Sequence, residues 1–144
     1  MLQNNGFIYL AGPYTSPDPT IQDKRFIKLV HVTSKLMMMG YTVVTPVLSG
    51  VPLSLLDKVE NSHEFWMQQD LPVLNKANEM LILALPGWQD STGLCAEMYY
   101  ARLWDIPYQC ISYKDAMKGK FNAIRTQPIP DWYKNCTDLP TARG

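Results

Sequence analysis

Short apolar runs alternate along this chain with longer segments in which apolar residues recur at helical spacing. Phe7-Ile8-Tyr9-Leu10-Ala11 is continuous and apolar and stops at Gly12-Pro13, so it predicts a buried strand entering a turn. Thr15-Ser16-Pro17-Asp18-Pro19 is loop. Over residues 20–39, Phe26, Leu29, Val30, Leu36 and Met37 predict a helix, with Gly40 in place to end it. Tyr41-Thr42-Val43-Val44-Thr45 is β-branched, is stopped by Pro46, and predicts a second strand. Residues 46–62 are rich in loop formers without clear periodicity and predict a loop.

Ser62 is placed to cap a helix over residues 63–76, with Trp66, Leu71 and Leu74 inward. The most apolar run, residues 79–85, predicts a strand that ends at Pro86-Gly87. A loop to Ser91 and a helix over residues 92–104 follow. Tyr108-Gln109-Cys110-Ile111-Ser112 predicts a further strand, and the Pro-containing stretch 121–144 predicts an extended C-terminal arm on an α/β domain spanning 1–120.

Strands that read as continuous apolar runs and alternate with helices indicate a parallel sheet covered on both faces. The expected fold is a Rossmann-like, doubly wound α/β sandwich with a mainly parallel sheet of about five strands. Ligands of such sheets bind beyond the C-terminal ends of the strands. The loops over residues 12–18, 46–61 and 86–91 are therefore the places to seek a function.

Composition narrows the classes. The chain has 144 residues, 47% apolar and 18% charged, which fits one globular domain. Thirteen Lys plus Arg balance 13 Asp plus Glu, against broad capture of a nucleic acid polymer or an acidic membrane. No apolar run reaches membrane-spanning length and no signal peptide is visible. Cys95, Cys110 and Cys136 are widely spaced, as are His31 and His63, so neither a disulfide scaffold nor a metal site is expected, and a cytoplasmic location is.

Gly12, Pro13 and Tyr14 form either a ligand loop or a plain turn after a strand. Lys24 and Arg25 either meet an anionic ligand or carry surface charge. Asp70 sits among residues suited to a buried helix face, and a solvated carboxylate is the alternative. Asp90, Ser91 or Thr92 can cap the following helix and leave backbone N–H groups beside the cleft. Glu97 has apolar or small neighbours, Leu94, Cys95, Ala96 and Met98, so its carboxylate is either buried for a task or turned to solvent. Cys95 reads as a buried small residue and His63 as a polar residue at a helix start.

Three segments taken together, Ile8-Tyr9-Leu10-Ala11-Gly12-Pro13-Tyr14, Gln69-Asp70-Leu71 and Ser91-Thr92-Gly93-Leu94-Cys95-Ala96-Glu97, resemble the nucleoside 2-deoxyribosyltransferase superfamily. That superfamily includes the 2'-deoxynucleoside 5'-phosphate N-hydrolases, and its short phage members are also similar to this chain. The resemblance spans residues 7–112 and implies cleavage of an N-glycosidic bond without a cofactor or metal. It implies Glu97 as nucleophile, Tyr14 as the residue that orients it, and Asp70 as the group that holds the sugar or protonates the departing base. It implies substrate contacts from Gly12, Pro13, Ser91 and Gly93. Ser91 stands where the nucleotide hydrolases carry a phosphate-binding serine, whereas Asp90 would suit a free 5'-hydroxyl.

Trp66 and Trp88 are expected to stack on the base or else to pack in the core or at a dimer contact. The implied partners are a small nucleoside or nucleotide and further copies of the chain, as a homodimer or higher homo-oligomer. The Met37-Met38-Met39 run would serve either that contact or the core. The expected activity is N-glycosidic cleavage of a (deoxy)nucleoside 5'-monophosphate. A deoxyribosyltransferase acting on unphosphorylated nucleosides and a non-catalytic nucleotide-binding module on the same fold are the alternatives.

Overall fold

The computed structural model describes residues 6–57 and 62–121. Four strands, β1 (Ile8–Ala11), β2 (Val43–Val44), β3 (Glu79–Leu83) and β4 (Tyr108–Ile111), form one all-parallel sheet in the order β2-β1-β3-β4. The helices are α1 (Pro19–Met38), α2 (Pro46–Leu56), α3 (His63–Leu74), α4 (Thr92–Leu103) and α5 (Tyr113–Met117), with a 3-10 turn at Trp88–Asp90. The fold is the expected Rossmann-like, doubly wound sandwich. Its sheet has four strands among the described residues instead of about five.

Side chains of a strand alternate between faces, and this alternation sorts the core into two layers. Tyr9, Ala11, Met80, Ile82, Tyr108 and Cys110 point to the face covered by α3 and α4. Ile8, Leu10, Leu81, Leu83 and Ile111 point to the opposite face, with Leu29, Val32 and Leu36 of α1. Every residue of β1 and β3 is buried, which is why these segments carry no polar face in the sequence.

Local chemistry sets the helix limits. Asp18 Oδ1 accepts from Thr20 N at 2.9 Å, and Pro19 follows at the first helical position of α1. At the other end Gly40 adopts φ 96°, Gly40 N donates to Met37 O at 3.0 Å, and Tyr41 N reaches back to Leu36 O at 3.1 Å. That pair of bonds is a Schellman closure, and it turns the chain from α1 into β2. Ser62 Oγ caps α3 by accepting from Phe65 N at 3.1 Å.

One expectation is corrected. Most of the segment read as a loop over residues 46–62 is the helix α2. Its residues are apolar nearly all round, Pro46 occupies the first helical position and Pro52 lies inside, so no amphipathic stripe marks it. Its Gly50 is buried where a Cβ would lie 3.4 Å from the Trp66 ring, so α2 rests on α3 through that contact. The methionine run at the end of α1 is surface, not core: Met38 is 89% exposed. Val30, one of the apolar residues that predict α1, is also exposed. The extended arm expected for residues 121–144 lies outside the described residues except for Phe121, which is buried against the α1 layer.

Among the described residues no helix is long and apolar enough to cross a membrane.

Candidate functional site

Connections leave β1 and β3 in opposite directions along the sheet, β1 running to the edge strand β2 and β3 to the other edge, β4. The crevice at this reversal, outside the C-terminal ends of β1 and β3, is where a doubly wound sheet takes a ligand. The loops over residues 12–18 and 84–91 border it.

Between the sheet and the helices α3 and α4 lies a cluster of oxygen acids. Tyr9, on β1, faces α4 and is fully buried. A buried phenol needs a hydrogen-bond partner, and its hydroxyl donates to Oε2 of Glu97, in the middle of α4. Glu97 is itself only 9% exposed, and among the described residues Oε1 accepts no hydrogen bond. Asp70 is half-buried on α3, which packs beside α4.

Burial decides the electrostatics here. Removal from water pushes the Glu97 carboxyl up to about 8; the neighbouring Asp70 charge adds to the rise, and the Tyr9 hydrogen bond opposes it. Desolvation likewise lifts Asp70 to about 7. Tyr9 is held well above its ordinary range, first by burial and then by the charges of Glu97 and Asp70. Near neutral pH the two carboxyl groups therefore retain protons that exposed carboxylates would have lost. A site holding one ionised and one protonated carboxyl can attack with the first and donate from the second.

Ser91 caps α4 at the rim of the crevice, its Oγ accepting from Leu94 N at 3.3 Å. Its hydroxyl proton stays available to a ligand. A Cβ at Gly93 would meet nothing within 4 Å, so this first turn of α4 opens onto free space. Asp90 is exposed in the preceding turn.

The remaining expected residues divide. Gly12 and Pro13 are buried, and a Cβ on Gly12 would come within 3.1 Å of Leu29 Cδ2, so α1 packs closely against the glycine. Tyr14 is half-buried; its phenol is raised by burial and then by the charge of Asp23 on α1. The phenol bonded to Glu97 is thus Tyr9, on β1, and not Tyr14, in the loop that follows and expected to orient it. Trp88 does not stand open as a stacking platform: it belongs to the core layer under α4. Trp66 is half-buried, set edge-on to Phe65 with ring centroids 4.9 Å apart. Cys95 is buried and its thiol is lifted to about 11, first by burial and then by Asp90, which keeps it protonated. His63, at the first position of α3, is lowered by burial against an opposing pull from Glu64. Lys24 is exposed, whereas Arg25 turns inward and donates to backbone carbonyls of both crevice loops.

Tyr9 is the residue to which the motifs gave no role, and Arg25, read as a ligand contact or a surface charge, holds loop carbonyls. Tyr9 carries the only hydroxyl in an otherwise aliphatic buried strand, which is itself a signal that a polar partner waits in the core.

Residues 6–110 match a sequence family described as "Domain of unknown function (DUF1937)". No curated protein matches the chain.

Proposed function

The chain belongs to the DUF1937 family, whose description names no activity, and on that footing we propose that it cleaves the N-glycosidic bond of a (deoxy)nucleoside 5'-monophosphate through a covalent glycosyl-Glu97 intermediate. One observation carries the reading. A carboxylate is buried between the sheet and the helices α3 and α4, with one oxygen held by Tyr9 and a second carboxyl group beside it. Burial of an ionisable group at this cost is the usual mark of a reactive site. The three sequence segments that resemble the nucleoside 2-deoxyribosyltransferase superfamily supply Tyr9, Asp70 and Glu97.

The roles follow from the positions. Tyr9 fixes the rotation of Glu97 through Oε2, which leaves Oε1 for the sugar. In the first step Oε1 bonds to C1' while the C1'–N bond breaks, and its electron pair leaves with the base. Glu97 holds its proton more tightly than Asp70 in the empty site, so that proton passes to Asp70 as positive charge builds on the sugar, and Asp70 delivers it to the departing nitrogen. Positive charge grows on the sugar in this transition state, and an ionised Glu97 beside it becomes more favourable than in the empty site. In the second step water attacks C1', Asp70 takes its proton, and the C1'–Oε1 bond opens to restore Glu97. The scheme parallels retaining glycosidases.

At the 5' end, the Ser91 hydroxyl and the open first turn of α4 suit an anion, because N–H groups and the helix dipole both point that way. Exposed Asp90 in the adjoining turn favours a second reading, a deoxyribosyltransferase that holds a 5'-hydroxyl.

The test is product analysis by liquid chromatography and mass spectrometry, using deoxy- and ribonucleoside 5'-monophosphates and the matching nucleosides, each with and without a second free base. Base release from a monophosphate without acceptor, abolished in Glu97→Gln, is the expected result. Base exchange confined to plain nucleosides would replace the hydrolase by the transferase. No cleavage of any substrate would overturn both.

A further inference from the structure

We propose that Arg25 is a positioning residue that sets the width of the ligand crevice by tying its two bordering loops together. The β1–β3 ladder ends at the pair Ala11 and Ile82. Among the described residues no backbone hydrogen bond joins the loops over residues 12–18 and 84–91 that follow. Arg25 of α1 takes over there. Its Nη1 donates to Thr15 O at 2.9 Å and more weakly to Tyr14 O at 3.4 Å, and its Nη2 donates to Pro86 O at 3.0 Å. One rigid, planar group thus holds three carbonyls on two loops that are far apart in sequence.

Two further observations show a site built around the guanidinium. Gly87 adopts φ 84°, and a Cβ there would sit 2.9 Å from Nη2, so the residue beside Pro86 is one that leaves the guanidinium room. Arg25 Nε is buried without a hydrogen-bond partner among the described residues, a desolvation cost that the bonds to the carbonyls must offset. Among the described residues no carboxylate pairs with Arg25, so charge-assisted bonds to the loop backbone are what hold it. A lysine carries the same charge but has no fixed fork, and cannot span the three acceptors in this geometry.

The consequence is a substrate-binding effect. Tyr14 rides on one tied loop, and the other runs from Pro86 to the Ser91 cap, so their separation governs how sugar and 5' group sit over Glu97. Small misplacement of a bound substrate is costly to the rate even when the reacting groups are intact. This kinetic consequence rests on the proposed glycosidase activity; the mechanical tie does not.

The experiment separates the two. Hydrogen–deuterium exchange is followed by mass spectrometry in the wild type and in Arg25→Lys, Arg25→Gln and Gly87→Ala. In all three variants, peptides covering residues 12–18 and 84–91 are expected to exchange faster together, by roughly ten-fold or more, while α3 is unchanged. Arg25→Gln combined with Gly87→Ala is expected to loosen them little more than Arg25→Gln alone, since both act on the same tie. Acceleration of one loop only, or of neither, overturns the proposal. On the nucleotide that the wild type cleaves, KM is expected to rise by about ten-fold or more in Arg25→Lys, with a smaller change in kcat and an unmoved pH profile. Unchanged KM alongside loosened loops would also overturn the positioning role. Joint loosening in a protein that cleaves no nucleotide would remove the proposed function and leave the tie standing.

Discussion

The Tyr9 hydroxyl donates to Oε2 of Glu97 across 88 positions of sequence, inside a core layer from which water is excluded. The bond joins the central strand of the sheet to the middle of α4. It places the most reactive group of the proposed mechanism within the hydrophobic core instead of on a loop. The stability and the pH response of the protein are therefore coupled through the same few atoms.

Glu97→Gln is expected to stabilise the protein while abolishing turnover. The carboxyl is lifted in the folded state to about 8 from an ordinary 4.5, so the folded protein holds the proton more tightly than the unfolded chain does. That contribution is fully present below the ordinary value and is lost as pH rises through the folded one. Thermal melts from pH 5 to pH 9 should show the Gln variant gaining on the wild type as pH rises. A melting difference independent of pH would contradict the assignment.

Tyr9→Phe removes the one contact that pulls the Glu97 carboxyl down. The basic shift should grow, and the rising limb of kcat/KM against pH should move to higher pH. Leaving Oε2 unpartnered in the core should also cost about 1–3 kcal/mol of stability, measured by urea unfolding.

Asp70→Asn should act with the opposite sign. The Asp70 charge raises both Glu97 and Tyr9, so its removal should move the same limb to lower pH. The maximal rate should fall because the proton donor is gone. The two variants shifting the profile in one direction would show that the limb does not report Glu97.

Trp88→Ala should cost about 3–5 kcal/mol, the usual penalty for deleting a large aromatic side chain from a packed core. Trp88 is 9% exposed in the layer under α4. A base-stacking tryptophan would instead raise KM with little loss of stability, and the pair of measurements decides between the roles.

Much of the fold was legible in the pattern of residues, because buried parallel strands have no polar face and helix ends need particular residues. Ser62 announced its helix, Ser91 was one of three candidate caps for α4, and Gly40 announced the end of α1. The helix α2 was hidden because its prolines and glycine imitate a loop and its leucines leave no stripe. At the site, Glu97 and Asp70 stood out as carboxyls in apolar surroundings. Tyr9 did not, since a tyrosine fits a strand run without remark and only the position of α4 shows what its hydroxyl meets. Arg25 was ambiguous for a similar reason. Its partners are backbone carbonyls, which every residue has, so no side-chain pattern reveals them.

The sheet order also bears on how the chain is made. β1 is made well before β3, yet it lies between β2 and β3, and Ile8 pairs with Glu79. At about 5–20 residues per second, the β3 edge of this fully buried strand stays open for on the order of ten seconds during synthesis. Until β3 is made, the nascent β1 is thus an open-edged template, and a client for any chaperone that shields extended apolar segments.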